Sequence, residues 1–222
     1  MKKPLQLDPL AEKLLDRLAG RPEASEIVLG GYFALRHYLD YRRTHDIDAW
    51  WRTRANSATE QVIEQAMHKL AQEEGLGFEK RKFGDTVSFE LLRDGRRVFS
   101  FQIAVRSVEL EPPLISPWPP VLIETLADNV GAKMNALVER GAPRDFVDIK
   151  RLVDAGLADN GRCWELWRRK NPGAGMSVAR QKVRLHLAAL ETRRPLNLIP
   201  DPRQREDARL TREWFGRDFL GA

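Results

Sequence analysis

The 222-residue sequence predicts an α+β fold, a small mixed-sheet domain followed by a helical C-terminal domain. Three observations carry this. Period-two alternation recurs at 46–51, 86–92 and 96–105, with Asp94-Gly95 as a hairpin signal between the last two. Residues 57–74 show the 3.6-residue spacing of an amphipathic helix. Beyond Leu122, helical spacing alone continues to the end.

In chain order, Leu10–Leu18 reads as a leading helix stopped by Gly20, and Glu26–Leu29 as a buried strand feeding Gly30-Gly31. Tyr32–Tyr41 has the spacing of a short helix. Asp46–Trp51 sets Ile47 and Ala49 against Asp46 and Asp48, as a strand does. Ser57 or Thr59 is the expected cap of the following helix. Gly77–Phe83, Thr86–Leu92 and Arg96–Val105 complete the strands. The prolines at 112, 113, 117, 119 and 120 make a stiff passage expected to end the sheet, which sets domains at 1–115 and 116–222. Helices are then expected at 123–139, closed by Gly141-Ala142-Pro143, and at 144–154, 162–170, 177–190 and 204–215.

Bulk properties narrow the class. Hydrophobic residues at 42% and charged residues at 31% describe an ordinary globular chain. No apolar run has the length to cross a bilayer. The opening Met1 to Asp8 has no apolar stretch, so no secretory signal is expected. The single cysteine, Cys163, excludes an internal disulfide, and a cytoplasmic location is the expectation. Residues 161–222 carry 14 Lys+Arg against 7 Asp+Glu, which suits either a phosphate-tracking surface or solvated helix faces.

The chemistry concentrates between residues 29 and 51. On a strand, residues i and i+2 point to one face about 6–7 Å apart, so Asp46 and Asp48 aim two carboxylates at one spot. Such a pair can hold Mg²⁺, which favours oxygen ligands and completes its shell with substrate phosphates. Gly30-Gly31 would let backbone approach those phosphates closely. A turn and a strand explain both features equally well, and each is weak by itself.

The stretch Gly30-Gly31-x-x-Ala34-Leu35, then Arg42-x-Thr44-x-Asp46-Ile47-Asp48, resembles the first motif of the AbiEii/AbiGii nucleotidyltransferase toxin family, within the DNA polymerase β-like nucleotidyltransferases. A second block, KMNALVERGAPRDFVDIKRLV at 133–153, is similar to the family's Lys-x-x-Ala-Leu-x-x-Arg followed by Arg-Asp-Phe-x-Asp-Leu. The likeness covers about residues 26–155. It implies that Asp46 and Asp48 bind metal, that Gly30, Gly31, Thr44 and Lys133 surround the NTP, and that Asp145 completes the polar site from the helical domain. It further implies a nucleotide moved to an acceptor, RNA such as tRNA or a protein hydroxyl, and a cognate antitoxin partner. Without the likeness, Lys133 would read as solvated and Arg144 with Asp148 as an ordinary i, i+4 pair.

One departure stands out. Polymerase β-like transferases generally place a third carboxylate on a later strand, where this chain offers Ser100, Gln102 and Ala104. An amide cannot take a proton as a carboxylate does. Glu90 is the neighbouring substitute if it faces the site. The alternative reading is therefore a catalytically inactive module that binds nucleic acid or protein. The histidines have no ligand spacing, so zinc is not expected. Of Trp50 and Trp51, at least one should be buried.

Overall fold

A computed structural model describes residues 3, 4 and 7–221, so the opening segment read above falls partly outside it. The chain divides into two compact units, one ending at Asn129 and the other beginning at Val130.

The first unit is built on a seven-stranded mixed sheet. Its strands are β1 (Ile27–Gly30), β2 (Asp46–Trp51), β3 (Gly77–Phe83), β4 (Thr86–Arg93), β5 (Arg96–Val105), β6 (Leu114–Ile115) and β7 (Leu122–Ile123). The order is β3-β4-β5-β2-β1-β7-β6. β2 is central, antiparallel to β1 and parallel to β5. Ile47, Ala49 and Trp51 point into the same core as Phe89, Phe101 and Ile103. Helices α1 (Pro9–Leu18) and α3 (Ser57–Glu74) bring Leu14, Leu15, Leu18, Ile63, Met67 and Leu70 to that core.

Local signals explain the ends of these elements. Asp8 caps α1, its carboxylate accepting from the Leu10 and Ala11 amides at 2.8 and 3.4 Å. α3 is capped by Asn56 rather than Ser57 or Thr59. Thr59 is turned inward, its hydroxyl donating to the Glu23 carbonyl at 2.8 Å. The β4–β5 hairpin turns on Asp94-Gly95, both at positive φ, as such a two-residue turn requires. Edge strand β3 is largely exposed and carries Glu79, Lys80, Arg81 and Lys82, while the opposite edge, β6, is two residues long.

Three further expectations are corrected. The helix expected over 32–41 is one turn, α2 (Gly31–Leu35), because Tyr32 then holds the chain in a loop described below. The proline passage does not end the sheet. β6 lies within it and β7 follows, with Val28 and Leu29 of β1 paired to Leu122 and Ile123. The helix expected from Ile123 begins instead at Leu126, as α4 (Leu126–Glu139), and the division between units falls within it.

The second unit is helical. It holds the remainder of α4, then α5 (Pro143–Asp154), α6 (Asn160–Lys170), α7 (Met176–Arg193) and α8 (Pro202–Trp214), the last running into a π-helical turn at Phe215–Phe219. An aromatic cluster closes its core, with Phe146 4.7 Å from Phe215 and Trp164 5.3 Å from Phe219 between ring centroids. No helix among the described residues is long and apolar enough to cross a membrane.

Candidate active site

The face of the sheet opposite the core is polar, and β2 sets its centre. Its strict alternation leaves Asp46, Asp48 and Trp50 half-buried there, while Ile47, Ala49 and Trp51 are buried on the other side. The parallel register with β5 places Ser100 beside Asp46 and Gln102 beside Asp48. The Ser100 hydroxyl donates to Asp46 Oδ1 at 2.7 Å, which fixes that carboxylate.

Asp48 is flanked on its other side by the glycine turn. Gly30 is its register partner across β1–β2, and Gly31 follows at φ +59°. A Cβ on Gly31 would lie 2.2 Å from Asp48 Oδ2 and 2.8 Å from Asp48 Cβ. A Cβ on Gly30 would lie 2.2 Å from Trp50 Nε1 and 2.9 Å from Glu124 Oε2. The two side chains are thus withheld where a carboxylate and an indole need the room.

The surroundings brace this turn and the entry to β2. Asn129 donates to the Gly31 carbonyl at 2.7 Å and to Glu124 Oε2 at 3.3 Å. Glu124 and Asn129 are both fully buried. The Tyr32 hydroxyl accepts from the Arg42 amide at 2.8 Å and the Tyr41 amide at 3.2 Å, and donates to the Arg42 carbonyl at 2.9 Å. Burial raises its pKa above the usual phenol range, which keeps it a donor. The Arg42 guanidinium covers the Tyr32 ring, and buried Arg36 clamps Asp40 through two 2.9 Å bonds. Thr44 uses its hydroxyl on backbone, accepting from the Asp46 amide at 3.3 Å.

The later-strand carboxylate is absent where expected: Gln102 is in register with Asp48 and is exposed. Glu90 does face the same side, opposite Ser100 on β4, so β5 separates it from Asp46. It accepts from the Ser88 hydroxyl at 3.4 Å and lies 3.7 Å from Arg81 and 3.8 Å from Arg97. Among the described residues, no group of three or more His, Cys, Asp or Glu could hold a metal ion. The donor set on β2 is therefore two carboxylates, a number that suits Mg²⁺ completed by water and phosphate oxygens.

In the second unit, Lys133 and Asp148 form a buried ion pair at 2.7 Å between α4 and α5. Asp145, fully buried, accepts from the Ala142 amide at 3.0 Å and from Arg140 Nε and an Arg140 terminal nitrogen at 2.8 and 2.7 Å. It therefore caps α5 and anchors Arg140. The surface pair of Arg144 with Asp148 does not form, because Asp148 points inward to Lys133.

Three residues of the first unit carry no site role in the sequence pattern, Tyr32, Glu124 and Asn129, and Ser100 was visible there as a polar-face residue but not as the partner of Asp46. One signal was available. Thr125-x-x-Asp128 has the capping pattern that opens a helix, and the Asp128 amide does donate to the Thr125 hydroxyl at 3.2 Å. Starting α4 there frees Leu122 and Ile123 for strand pairing and puts Glu124 and Asn129 beside the glycines.

A comparison with curated proteins gives no match. The family model described as nucleotidyl transferase AbiEii toxin, type IV TA system, matches residues 13–217. That span includes the glycine turn, both aspartates of β2 and the Lys133–Asp148 block, so the chain belongs to the AbiEii nucleotidyl transferase toxin family of type IV toxin–antitoxin systems.

Proposed function

We propose that the protein is a Mg²⁺-dependent nucleotidyltransferase, moving a nucleotide from an NTP to an acceptor hydroxyl of RNA, such as tRNA, or of a protein. The observation that carries this is the carboxylate pair of Asp46 and Asp48 on the polar face, with Gly31 pressed against Asp48. In this reading Asp46 and Asp48 hold the metal. The bound ion supplies positive charge to the phosphates of the NTP. Ser100 keeps the Asp46 carboxylate oriented, and the loop pinned by Tyr32 fixes where β2 begins. Gly30 and Gly31 leave backbone accessible to the triphosphate, Thr44 stiffens the entry to β2, and Lys133 supplies a cation for phosphate. Asp145 acts as a positioning residue through α5. The acceptor hydroxyl oxygen attacks the α-phosphorus, its proton passes to water, and the bond to the β-phosphate breaks as pyrophosphate leaves.

The family supports a cognate antitoxin as partner and a cytoplasmic site of action. A second reading, a module that binds without catalysis, is favoured by one observation, the amide of Gln102 beside Asp48. Labelled NTPs with Mg²⁺ and total RNA or protein separate the two. Transfer lost in Asp46→Asn supports the enzyme. Absence of transfer from every NTP, with binding retained, supports the module.

A further inference from the structure

We propose that the tip of the β4–β5 hairpin is the docking site for the acceptor, and that the acceptor is a single-stranded polynucleotide held by its phosphates. The proposal rests on the nucleotidyltransferase reading and adds to it which surface receives the second substrate.

The hairpin reads Arg93-Asp94-Gly95-Arg96-Arg97, with all three arginines exposed. Arg93 and Arg96 are register partners, so two like charges face each other directly across the hairpin. That arrangement is destabilising unless a counter-charge lies between them. Among the described residues neither guanidinium group has a hydrogen-bond or ion-pair partner. Arg97 reaches only to Glu90, at 3.8 Å. Beside the tip lies a cavity of about 590 Å³, bounded by Arg93, Arg97, His45, Asp46, Asp8 and Glu74. Its acids are engaged within the protein. Asp8 caps α1 and meets His45 at 2.6 Å, Glu74 pairs with Lys13, and Asp46 takes the Ser100 hydroxyl. The cationic groups at this rim are the exposed Arg93 and Arg97, and guanidinium groups match phosphate oxygens in pairs.

Sheet order then separates two substrates. β2 lies between β1 and β5. The glycine turn flanks Asp48 from the β1 side, whereas the arginine hairpin continues from β5, whose Ser100 is beside Asp46. A donor on the glycine side leaves the arginine side for the acceptor. A chain with one phosphate per residue suits several arginines spread along a tip better than a single hydroxyl-bearing protein side chain does.

The test is fluorescence anisotropy of the full chain with a labelled single-stranded oligoribonucleotide, without NTP, across a range of salt. Each phosphate contact on a single strand contributes about 0.7 to the salt slope. Arg93→Ala with Arg96→Ala should lower the slope by about 1.4 and weaken binding roughly tenfold near 0.1 M salt. Arg54→Ala with Arg203→Ala removes two exposed charges elsewhere and should leave the slope unchanged. The proposal is overturned if both double variants weaken alike, if the hairpin double variant binds as before, or if the unaltered protein shows no salt-dependent binding. Displacement by polyglutamate at equal charge would also overturn it, in favour of an acidic protein partner. Oligonucleotide bound through the hairpin without any transfer would sink the enzymatic reading and leave the site standing. Transfer to RNA unaffected by the hairpin variant would do the reverse.

Discussion

Gly31→Ala is the most informative single substitution because two separable costs meet at one atom. The backbone there sits at φ +59°, where an L side chain costs about 1–2 kcal/mol. The new Cβ would also fall 2.2 Å from Asp48 Oδ2 and 2.8 Å from Asp48 Cβ. Turning the carboxylate away relieves the first contact but not the second, so β2 or the turn must move. Overpacking of that kind costs about 1–3 kcal/mol, for a total of about 2–5 kcal/mol. Gly20→Ala is the internal control. Its φ is +74° with nothing within 4 Å of the added carbon, so only the backbone cost of about 1–2 kcal/mol applies. Any gain from stiffening the unfolded chain is common to both and cancels. Urea denaturation followed by tryptophan fluorescence should separate the two midpoints by roughly 0.5–1.5 M, taking a slope of about 2 kcal/mol per M. Coincident midpoints would refute the claim that Asp48 occupies the space Gly31 vacates. Mg²⁺–nucleotide binding should be lost in Gly31→Ala and kept in Gly20→Ala.

Three further outcomes follow from the same geometry. Ser100→Ala removes a hydrogen bond to a carboxylate, worth about 1.5–3 kcal/mol, and should lower transfer roughly tenfold or more while the denaturation midpoint shifts less than in Gly31→Ala. Lys133→Met removes the ammonium that meets buried Asp148 at 2.7 Å and should destabilise the helical unit by about 3–5 kcal/mol. Lys133→Met with Asp148→Leu should recover much of that stability in denaturation but none of the transfer, and recovered transfer would show the pair to be purely structural. Burial and then the nearby Asp159 push the Cys163 thiol up to about 12, so at pH 8 it stays neutral. It should resist thiol-specific disulfide reagents in the native protein and react once urea unfolds α6.

What could be read in the sequence was what local pattern decides. β2 runs from Asp46 to Trp51 as its alternation requires, and the Asp94-Gly95 turn forms where the dipeptide places it. Trp51 is the buried member of its pair, its indole donating to the Asp85 carbonyl at 2.7 Å. Non-local pairings were not legible. Nothing around Leu122 announces that a two-residue strand will pair with β1, and nothing around Asp46 announces Ser100, fifty-four residues away. The glycine pair was visible as a turn, but its reason, the room taken by Asp48 and Trp50, exists only once β1 and β2 pair. Asp145 shows the same limit in the helical unit. The family likeness alone implied its place in a polar site, and no spacing announced its hydrogen bonds to Arg140 and to the start of α5.

The two margins of the sheet bear on how the chain behaves in a crowded solution. A sheet with open edges is a template onto which another strand can zip. Here one margin is the charged run of β3, and the other, β6, is too short to register a long partner. Lys80 and Lys82 are held by Glu60 and Glu64 of α3, so the charges along β3 are anchored rather than trailing. Replacing both lysines by valine would turn that guarded margin into a sticky one, and aggregation on storage, read by light scattering, is the cost to be expected.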